Sequence, residues 1–195
     1  MNFSSLVPHI KERLTLHHQL YSMQCKELAW EENLCYALKK AGFGSDWRPD
    51  SNHKSGVDQT TDIGVRIGNK SGAVHDDVVT INGSRSTKHK TLEEKLEFLR
   101  VKKEDYIFCL GCEKKEWDRG LKIYYFIVID SNKINYHDQQ WSETIGRTGR
   151  YKDKVNGWEM TNENYSAKIS KSMSDQLWTT IKLDMCEEIH DIVIG

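Results

Sequence analysis

The apolar positions near the start of the chain follow a helical period, and two acidic residues interrupt them. At roughly 100° per residue, residues 18–43 form one broad apolar stripe, which consists of Leu20, Met23, Trp30, Leu34, Leu38 and Ala41. Glu27 and Glu31 lie near the middle of this stripe. Burying an ionised carboxylate is costly unless it is paired, protonated or bound to a metal. The pattern therefore predicts a cation or a basic partner, or else a helix end from which both acids reach solvent or Lys26 and Lys39.

The hydrophobic pattern changes from helical to alternating after Gly42 and Gly44, which predict the end of the helix. Residues 62–67 and 77–83 have the pattern of strands. Residues 68–72 between them have the glycine, asparagine and serine content of a hairpin turn. The sequence therefore predicts a helix followed by a β-hairpin.

A second helix and two apolar strands complete the predicted core. Residues 91–101 form the helical pattern, and Thr91 with Glu94 three residues later is typical of a capping box. Residues 106–110 and 121–130 have the pattern of strands, and the second is a nearly continuous apolar run of the kind buried on both faces of a sheet. This order predicts an α/β fold with a mixed central sheet flanked by helices.

The length of 195 residues suits a single domain that can bury its own core without disulfides. Within it we distinguish an N-terminal helical part, residues 1–43, and a central part, residues 44–131. Residues 132–195 are richer in aromatic, glycine and basic residues, a composition that suits recognition or dimerisation. Their last stretch, residues 183–194, has the pattern of a short helix or strand that covers the core.

The sequence also bears on location and cofactors. Residues 1–5 lack the basic and apolar segments of a signal peptide, and no stretch approaches the roughly 20 apolar residues of a membrane span. The five cysteines follow no framework spacing, which favours reduced thiols. Residues 64–71 only faintly resemble a phosphate-binding loop, because no helical pattern follows the lysine. We therefore expect a cytoplasmic protein without a membrane partner or a nucleotide cofactor.

The formal net charge is −1, but the basic residues are concentrated in two segments. Residues 84–103 contain seven Lys and Arg against three Glu, and residues 146–171 contain six against three acidic residues. The first segment places hydroxyl groups and cations directly before a helix, which suits phosphate binding. Its predicted DNA-binding residues are Ser84, Arg85, Lys88 and Lys90. Arg85 could contact a guanine edge through two hydrogen bonds; the alternative is a solvated basic loop.

Three features follow one another along the chain: Glu31 on the first helix, residues 56–62 entering the hairpin, and a basic helix with two apolar strands behind it. This order resembles the PD-(D/E)xK nuclease superfamily, and within it the small type II restriction endonucleases, over about residues 18–130. The resemblance implies a restriction-endonuclease-like core in residues 44–131. It also implies a Mg²⁺-dependent enzyme that hydrolyses phosphodiester bonds at specific sites in double-stranded DNA. We expect a homodimer, since cutting both strands of a palindromic site calls for two active sites related by a two-fold axis.

In that superfamily an acid on the first helix and an acid at the start of the hairpin hold Mg²⁺. A further acid lies on the next strand, and a lysine two residues later polarises the attacking water. Glu31 matches the helix acid, and both Asp58 and Asp62 qualify as the hairpin acid, so the resemblance implies these three as metal ligands. It implies Lys70 as the water activator. Glycine stands at position 68, where the acid of the (D/E)xK element belongs.

The missing acid leaves two alternatives open. The chain could be a non-catalytic nucleic-acid-binding module or subunit on the same fold. It could also be a repair or recombination enzyme that acts on DNA structure rather than on sequence. Cleavage into discrete fragments would mark a restriction enzyme, whereas binding without cleavage would mark a binding module.

Overall fold

The computed structural model describes residues 2–46, 57–101, 104–113, 116–117, 120 and 122–195, and for Glu27 it describes the backbone alone. Its longer helices are α1 (Val7–Leu20), α2 (Glu27–Lys40) and α3 (Leu92–Val101). Its strands are β1 (Gln59–Thr60), β2 (Arg66–His75), β3 (Val78–Arg85), β4 (Tyr106–Glu113), β5 (Lys122–Asp130), β6 (Ser142–Ile145), β7 (Val155–Thr161), β8 (Tyr165–Ser170), β9 (Gln176–Lys182) and β10 (Glu188–Ile194). None of the described helices is long and apolar enough to cross a membrane.

The strands form one ten-stranded mixed sheet. Its order is β10-β5-β4-β2-β3-β9-β8-β7-β6, and β1 also pairs with β2. β2 and β4 run parallel, and the neighbouring β2–β3 and β4–β5 pairs are antiparallel. The predicted α/β fold with a mixed sheet is therefore confirmed. The late strands join the same sheet, since β9 pairs with β3, and the final segment adds the edge strand β10 beside β5.

The helix predicted over residues 18–43 is divided into two, so its predicted start is wrong. α1 ends and α2 begins within this range, and Tyr21 and Lys26 between them have extended backbone. A long-range contact accounts for the break: the amide of the buried Cys25 donates to the Tyr124 hydroxyl at 2.9 Å. Local helical periodicity therefore gives way to a tertiary contact in the core.

Two predicted helix boundaries are confirmed. α2 ends at Lys40, and Gly42 follows with a φ of +81°, the left-handed conformation that ends many helices. At the start of α3, Glu94 N donates to Thr91 Oγ1 at 3.2 Å. Glu94 Oε2 in turn accepts hydrogen bonds from the amides of Lys90 and Thr91 at 2.6 and 3.3 Å. These reciprocal bonds are the predicted capping box.

The predicted hairpin turn at residues 68–72 is wrong. β2 runs through these residues, and the chain reverses into β3 at Asp76, where φ is +52°. Gly72 serves close packing instead of a turn. A Cβ at this position would lie 2.7 Å from Cys109 Sγ of β4 and 2.8 Å from a methyl carbon of Val79 in β3. The glycines that suggest a turn therefore allow neighbouring side chains to approach the strand.

The sheet separates two apolar cores. α1 and α2 cover one face, which includes Ile67, Phe108 and Phe126. α3 and the segment after β5 cover the other face, which includes Ile107 and Ile127. Phe126 and Ile127 are adjacent in β5, face opposite cores and are both fully buried. This confirms the prediction of a strand buried on both faces.

Candidate functional site at a fork in the sheet

The sheet forks along one edge of β2. β4 pairs with residues 67–74 along the opposite edge. On the forked edge, β1 pairs with residues 66–67, and β3 pairs with residues 72–75. Residues 68–71 face a gap between these two neighbours, because β3 leaves β2 after residue 81 and continues beside β9. We call this gap the fork.

The carboxylate of Asp58 lies in the fork and binds two groups of β2. Its Oδ2 accepts a 2.6 Å hydrogen bond from the backbone N–H of Asn69 and lies 3.3 Å from Lys70 Nζ. The short pairing of β1 with β2 explains this position, because Asp58 directly precedes β1 and so reaches the next amides along β2. The exposed fractions of the Lys70 and Asp58 side chains are 21% and 23%. A ligand in the fork can therefore reach the pair.

Glu104 brings a second carboxylate to the same stretch of β2. A Cβ on Gly68 would lie 3.0 Å from Glu104 Oε1 and 3.1 Å from its Cδ. The carboxylate thus lies against the space that a side chain at position 68 would fill. Gly68 and Lys70 are two residues apart in a strand, so their Cα substituents face the same side of the sheet. Glu104 is not among the site residues predicted from the sequence, where the only signal for it is the glycine at position 68.

A neighbouring ion pair fixes the backbone that carries Glu104. Asp105 N donates to Arg66 O at 2.9 Å, and the Asp105 carboxylate accepts from the Arg66 amide at 2.8 Å and from its guanidinium at 2.7 Å. Hydrogen bonding to the Arg66 side chain holds the pKa of Asp105 below its usual value, although partial burial opposes this. The pair joins the start of β2 to the residues before β4. Glu104 is therefore held beside Gly68.

Asp62 lies in a turn rather than at the start of a strand. The strand predicted over residues 62–67 begins at Arg66. The Asp62 amide donates to Phe43 O at 2.9 Å, and its carboxylate packs against Gly44, where any Cβ would overlap it. Gly44 has a φ of +67°, a conformation that favours glycine. Asp62 therefore fastens the loop after α2 to the turn before β2.

Glu31 lies on α2 beside β1. Its side chain is half-buried, and its backbone carbonyl accepts a 3.0 Å hydrogen bond from Gln59 Nε2. Within the described residues, no group of three or more Asp, Glu, His or Cys side chains is placed to hold a metal ion. Of the four predicted catalytic residues, the structure brings Asp58 and Lys70 into direct contact.

Asn69 is the residue of the fork with unsatisfied polar atoms. Its side chain is buried, and neither Oδ1 nor Nδ2 has a hydrogen-bond partner among the described residues. Leaving a buried amide unpaired is costly, so such groups usually bind something further. Asn69 lies between Gly68 and Lys70 in β2, so its side chain faces the opposite side of the sheet from theirs.

A cavity of about 110 Å³ connects the fork to the basic segment. Its polar lining includes Lys70, Glu104, Asn82 and Ser84. Its apolar lining includes Ile81, Leu99, Ile107 and Leu177. Ser84 is one of the predicted DNA-binding residues. The predicted catalytic lysine and the predicted DNA-binding segment therefore share one cavity.

A buried lysine holds the basic loop, which we define as residues 84–90. Lys95 is 1% exposed, and its Nζ donates to the carbonyls of Ser86 at 3.0 Å and His89 at 2.5 Å. The same Nζ lies 3.4 Å from Asp175 Oδ1, without hydrogen-bond geometry. Lys95 is therefore a buried structural cation and is not available to a ligand at the surface. The exposed cations of the loop are Arg85, Lys88 and Lys90.

Comparisons with known protein families, with curated proteins and with solved structures find no match to this chain. The resemblance to the PD-(D/E)xK superfamily therefore depends on the order of features in the sequence. The contacts of Asp58 and Lys70 in the fork are independent of that resemblance.

Proposed function

We propose that the chain is a Mg²⁺-dependent endodeoxyribonuclease that hydrolyses phosphodiester bonds at specific sites in double-stranded DNA, as type II restriction endonucleases do. The observation that carries this proposal is the fork. There, Asp58 contacts Lys70 at the open edge of β2, and the Glu104 carboxylate lies over Gly68 and lines the same cavity as Lys70. Two carboxylates and an ammonium group along one short stretch of a strand suit the hydrolysis of an anionic phosphodiester.

Glu104 would take the part of the acid that is missing from the (D/E)xK element. In the superfamily this acid stands two residues before the lysine, the position of Gly68 in this chain. The Glu104 carboxylate lies against the space of a side chain at that position. Glu104, in the segment before β4, would therefore provide the carboxylate that the family carries on the strand itself. This supports a restriction-endonuclease-like core with a relocated acid.

Asp58 and Glu104 offer carboxylate oxygens, the kind of ligand that Mg²⁺ prefers. This ion is commonly held by one or two carboxylates, with water and substrate phosphate oxygens in the remaining positions. Asp58 and Glu104 would hold it, and this minimum does not require Glu31 or Asp62. When bound, Mg²⁺ would neutralise the negative charge that develops on the phosphate oxygens and on the leaving oxygen.

Lys70 would provide a positive charge whose position is fixed by Asp58. Its ammonium group carries three hydrogen-bond donors and can orient a water molecule or bind a phosphate oxygen. A water molecule that loses its proton during attack becomes negative, and a nearby ammonium group stabilises that charge. The partial exposure of Lys70 leaves room for these contacts.

The basic loop would hold the DNA beside the fork. We assign Lys88 to a phosphate and Arg85 to a base edge, because a guanidinium can form two parallel hydrogen bonds with guanine. Ser84 lies on the cavity shared with Lys70 and would contact the phosphate next to the scissile bond. Cutting both strands of a palindromic site requires two such sites, so we propose a homodimer, acting in the cytoplasm.

A non-catalytic nucleic-acid-binding module is the second candidate. Two observations favour it: Asp58 and Lys70 satisfy each other at 3.3 Å, and the described residues contain no group of three metal-binding side chains. Such a protein would bind DNA through the basic loop without cutting it.

Digestion of long duplex DNA in Mg²⁺ distinguishes these candidates. The nuclease proposal expects discrete fragments from the wild type and a loss of rate of about 10²–10³-fold in Lys70→Met, the size of effect seen when one charge-stabilising donor is removed. Lys11→Met, on the exposed side of α1, is the matched control and should cut normally. A smear of products would indicate a structure-directed nuclease. A gel shift without cleavage in either Mg²⁺ or Mn²⁺ would leave the binding module as the function.

A further inference from the structure

A second cleft has the composition of a phosphate-binding site. It lies between the loop before β7 and the turn between β8 and β9, and its volume is about 460 Å³. Its lining includes the cations and hydroxyl groups of Arg147, Thr148, Arg150, Lys171, Ser172 and Ser174. None of the described residues that line it is acidic. We call it the distal cleft.

The loop that carries the two arginines is closed on itself by backbone hydrogen bonds. Gly146 N donates to Lys154 O at 2.9 Å, and Asp153 N donates to Gly146 O at 2.9 Å. Gly146 is buried, and any Cβ there would overlap the carbonyl of Tyr151. Gly149 adopts a φ of +66°, which favours glycine. A loop built in this way is already ordered before a ligand binds, which lowers the entropic cost of binding.

An aromatic ring and a side-chain hydrogen bond position the third cation. Lys171 Nζ lies 4.7 Å from the centre of the Trp158 ring, within the range of cation–π attraction. Lys95 Nζ lies 5.9 Å from the same ring. Ser172 N donates to Asn156 Oδ1 at 3.2 Å, which ties the turn after β8 to β7. Trp158 therefore lies close both to a cation of the distal cleft and to Lys95, which holds the basic loop.

The distal cleft adjoins the basic loop. Ser174 of the cleft directly precedes Asp175, whose backbone carbonyl accepts hydrogen bonds from the Ser86 amide at 3.1 Å and the Ser86 hydroxyl at 3.0 Å. Lys95 pairs with the carboxylate of the same Asp175. Since Ser84 also lines the cavity shared with Lys70, the basic loop adjoins both the fork and the distal cleft.

We infer that the distal cleft binds consecutive phosphate groups of the DNA strand whose scissile bond enters the fork. The inference rests on the proposed function, because it takes the ligand to be the substrate. Three cations without an acidic residue in the described lining attract a polyanion, and the hydroxyl groups of the cleft can donate to phosphate oxygens. Contacts to phosphates carry no sequence information, so the distal cleft sets affinity and register rather than specificity.

Salt-dependent binding tests this inference without requiring cleavage. Binding of a duplex oligonucleotide is measured by fluorescence anisotropy in EDTA over a range of salt concentrations. Arg147→Gln, Arg150→Gln and Lys171→Gln should each reduce the slope of log K against log salt by about 0.9, the contribution of one phosphate contact. A given variant should weaken the binding of duplexes with unrelated sequences by the same factor. Lys11→Gln, on α1 beside the opposite end of the sheet, should leave the slope unchanged.

Several outcomes would overturn the inference. Wild-type slopes and affinities in all three variants, at unchanged melting temperatures, would remove the distal cleft from the DNA path. A loss confined to one sequence would make it a base-reading site instead. Inorganic tripolyphosphate should compete with the duplex only weakly, and tighter binding of tripolyphosphate than of DNA would identify a free oligophosphate as the ligand. EDTA prevents metal-dependent cleavage, so this assay measures binding alone. If the variants reduce the slope but the wild type does not cut DNA in Mg²⁺, the nuclease proposal is refuted and the distal cleft remains a DNA-binding site.

Discussion

Two lysine–aspartate pairs of almost equal length occupy different environments in this protein. At the fork, Lys70 lies 3.3 Å from Asp58, and both side chains are more than a fifth exposed. Beneath the basic loop, Lys95 lies 3.4 Å from Asp175, and the lysine side chain is 2% exposed although that of the aspartate is 20% exposed. Lys95 also donates to two carbonyl groups, so its charge is engaged within the fold. The surroundings of a lysine, rather than its distance to a carboxylate, distinguish a structural pair from one that a substrate can reach.

The largest expected effect on stability is at the buried lysine, Lys95. Lys95→Met should lower the free energy of unfolding by about 3–5 kcal/mol, because two carbonyl groups of the basic loop lose a charged donor and each such hydrogen bond is worth about 1.5–3 kcal/mol. Urea denaturation measures this loss. The variant should also weaken DNA binding, since the basic loop loses its anchor. A loss of stability below about 1 kcal/mol would show that Lys95 does not hold the loop.

The pair at the fork should contribute little to stability. Lys70→Met should change the free energy of unfolding by less than about 1 kcal/mol, because water screens a partly exposed pair. The same urea denaturation series measures both lysine variants. A loss as large as that expected for Lys95→Met would make the fork pair a structural one, and the contrast between the two pairs would disappear.

The smallest effect should come from the Arg66–Asp105 pair, and it should depend on pH. The pKa of Asp105 is lower in the folded than in the unfolded protein, so the stabilisation is present above the unfolded value of about 3.9 and is lost as the pH falls through the folded value. Asp105→Asn should therefore be less stable than the wild type at pH 7 by less than about 1 kcal/mol. The difference should close in acid. Asp184→Asn, which removes one charge at an exposed position, is the matched control. A gap for Asp105→Asn that persists at low pH would refute the assignment.

Elements with a local signal could be predicted from the sequence. The capping box of Thr91 and Glu94 and the continuous apolar run of β5 depend on neighbouring residues, and both appear in the structure as predicted. The turn predicted at residues 68–72 is wrong because glycine has two uses. At Gly72 it makes room for Cys109 and a neighbouring strand, and this packing partner is distant in the sequence.

The candidate site could be predicted only in part, for the same reason. The order of features along the chain predicts Asp58 and Lys70 as site residues, and the structure brings them into contact. Glu104 and Lys95 could not be found in this way, because their partners are set by the packing of distant segments. Lys95 counts as one more positive charge in a basic segment until its burial is known. A glycine in place of an expected acid is the one sequence signal that suggests a search for a replacement.

Plasmid cleavage by Glu104→Gln and Asp62→Asn is the measurement that tests the nuclease proposal most directly. Both changes remove one negative charge at nearly constant size, and equal melting temperatures would show that both variants fold. We expect Glu104→Gln to lose about 10²–10³-fold of the cleavage rate in Mg²⁺, because the candidate site loses one of its two carboxylates. Asp62→Asn should cut like the wild type, because Asp62 contacts Gly44 outside the fork. Normal cleavage by Glu104→Gln, or loss of cleavage in Asp62→Asn alone, would contradict the account.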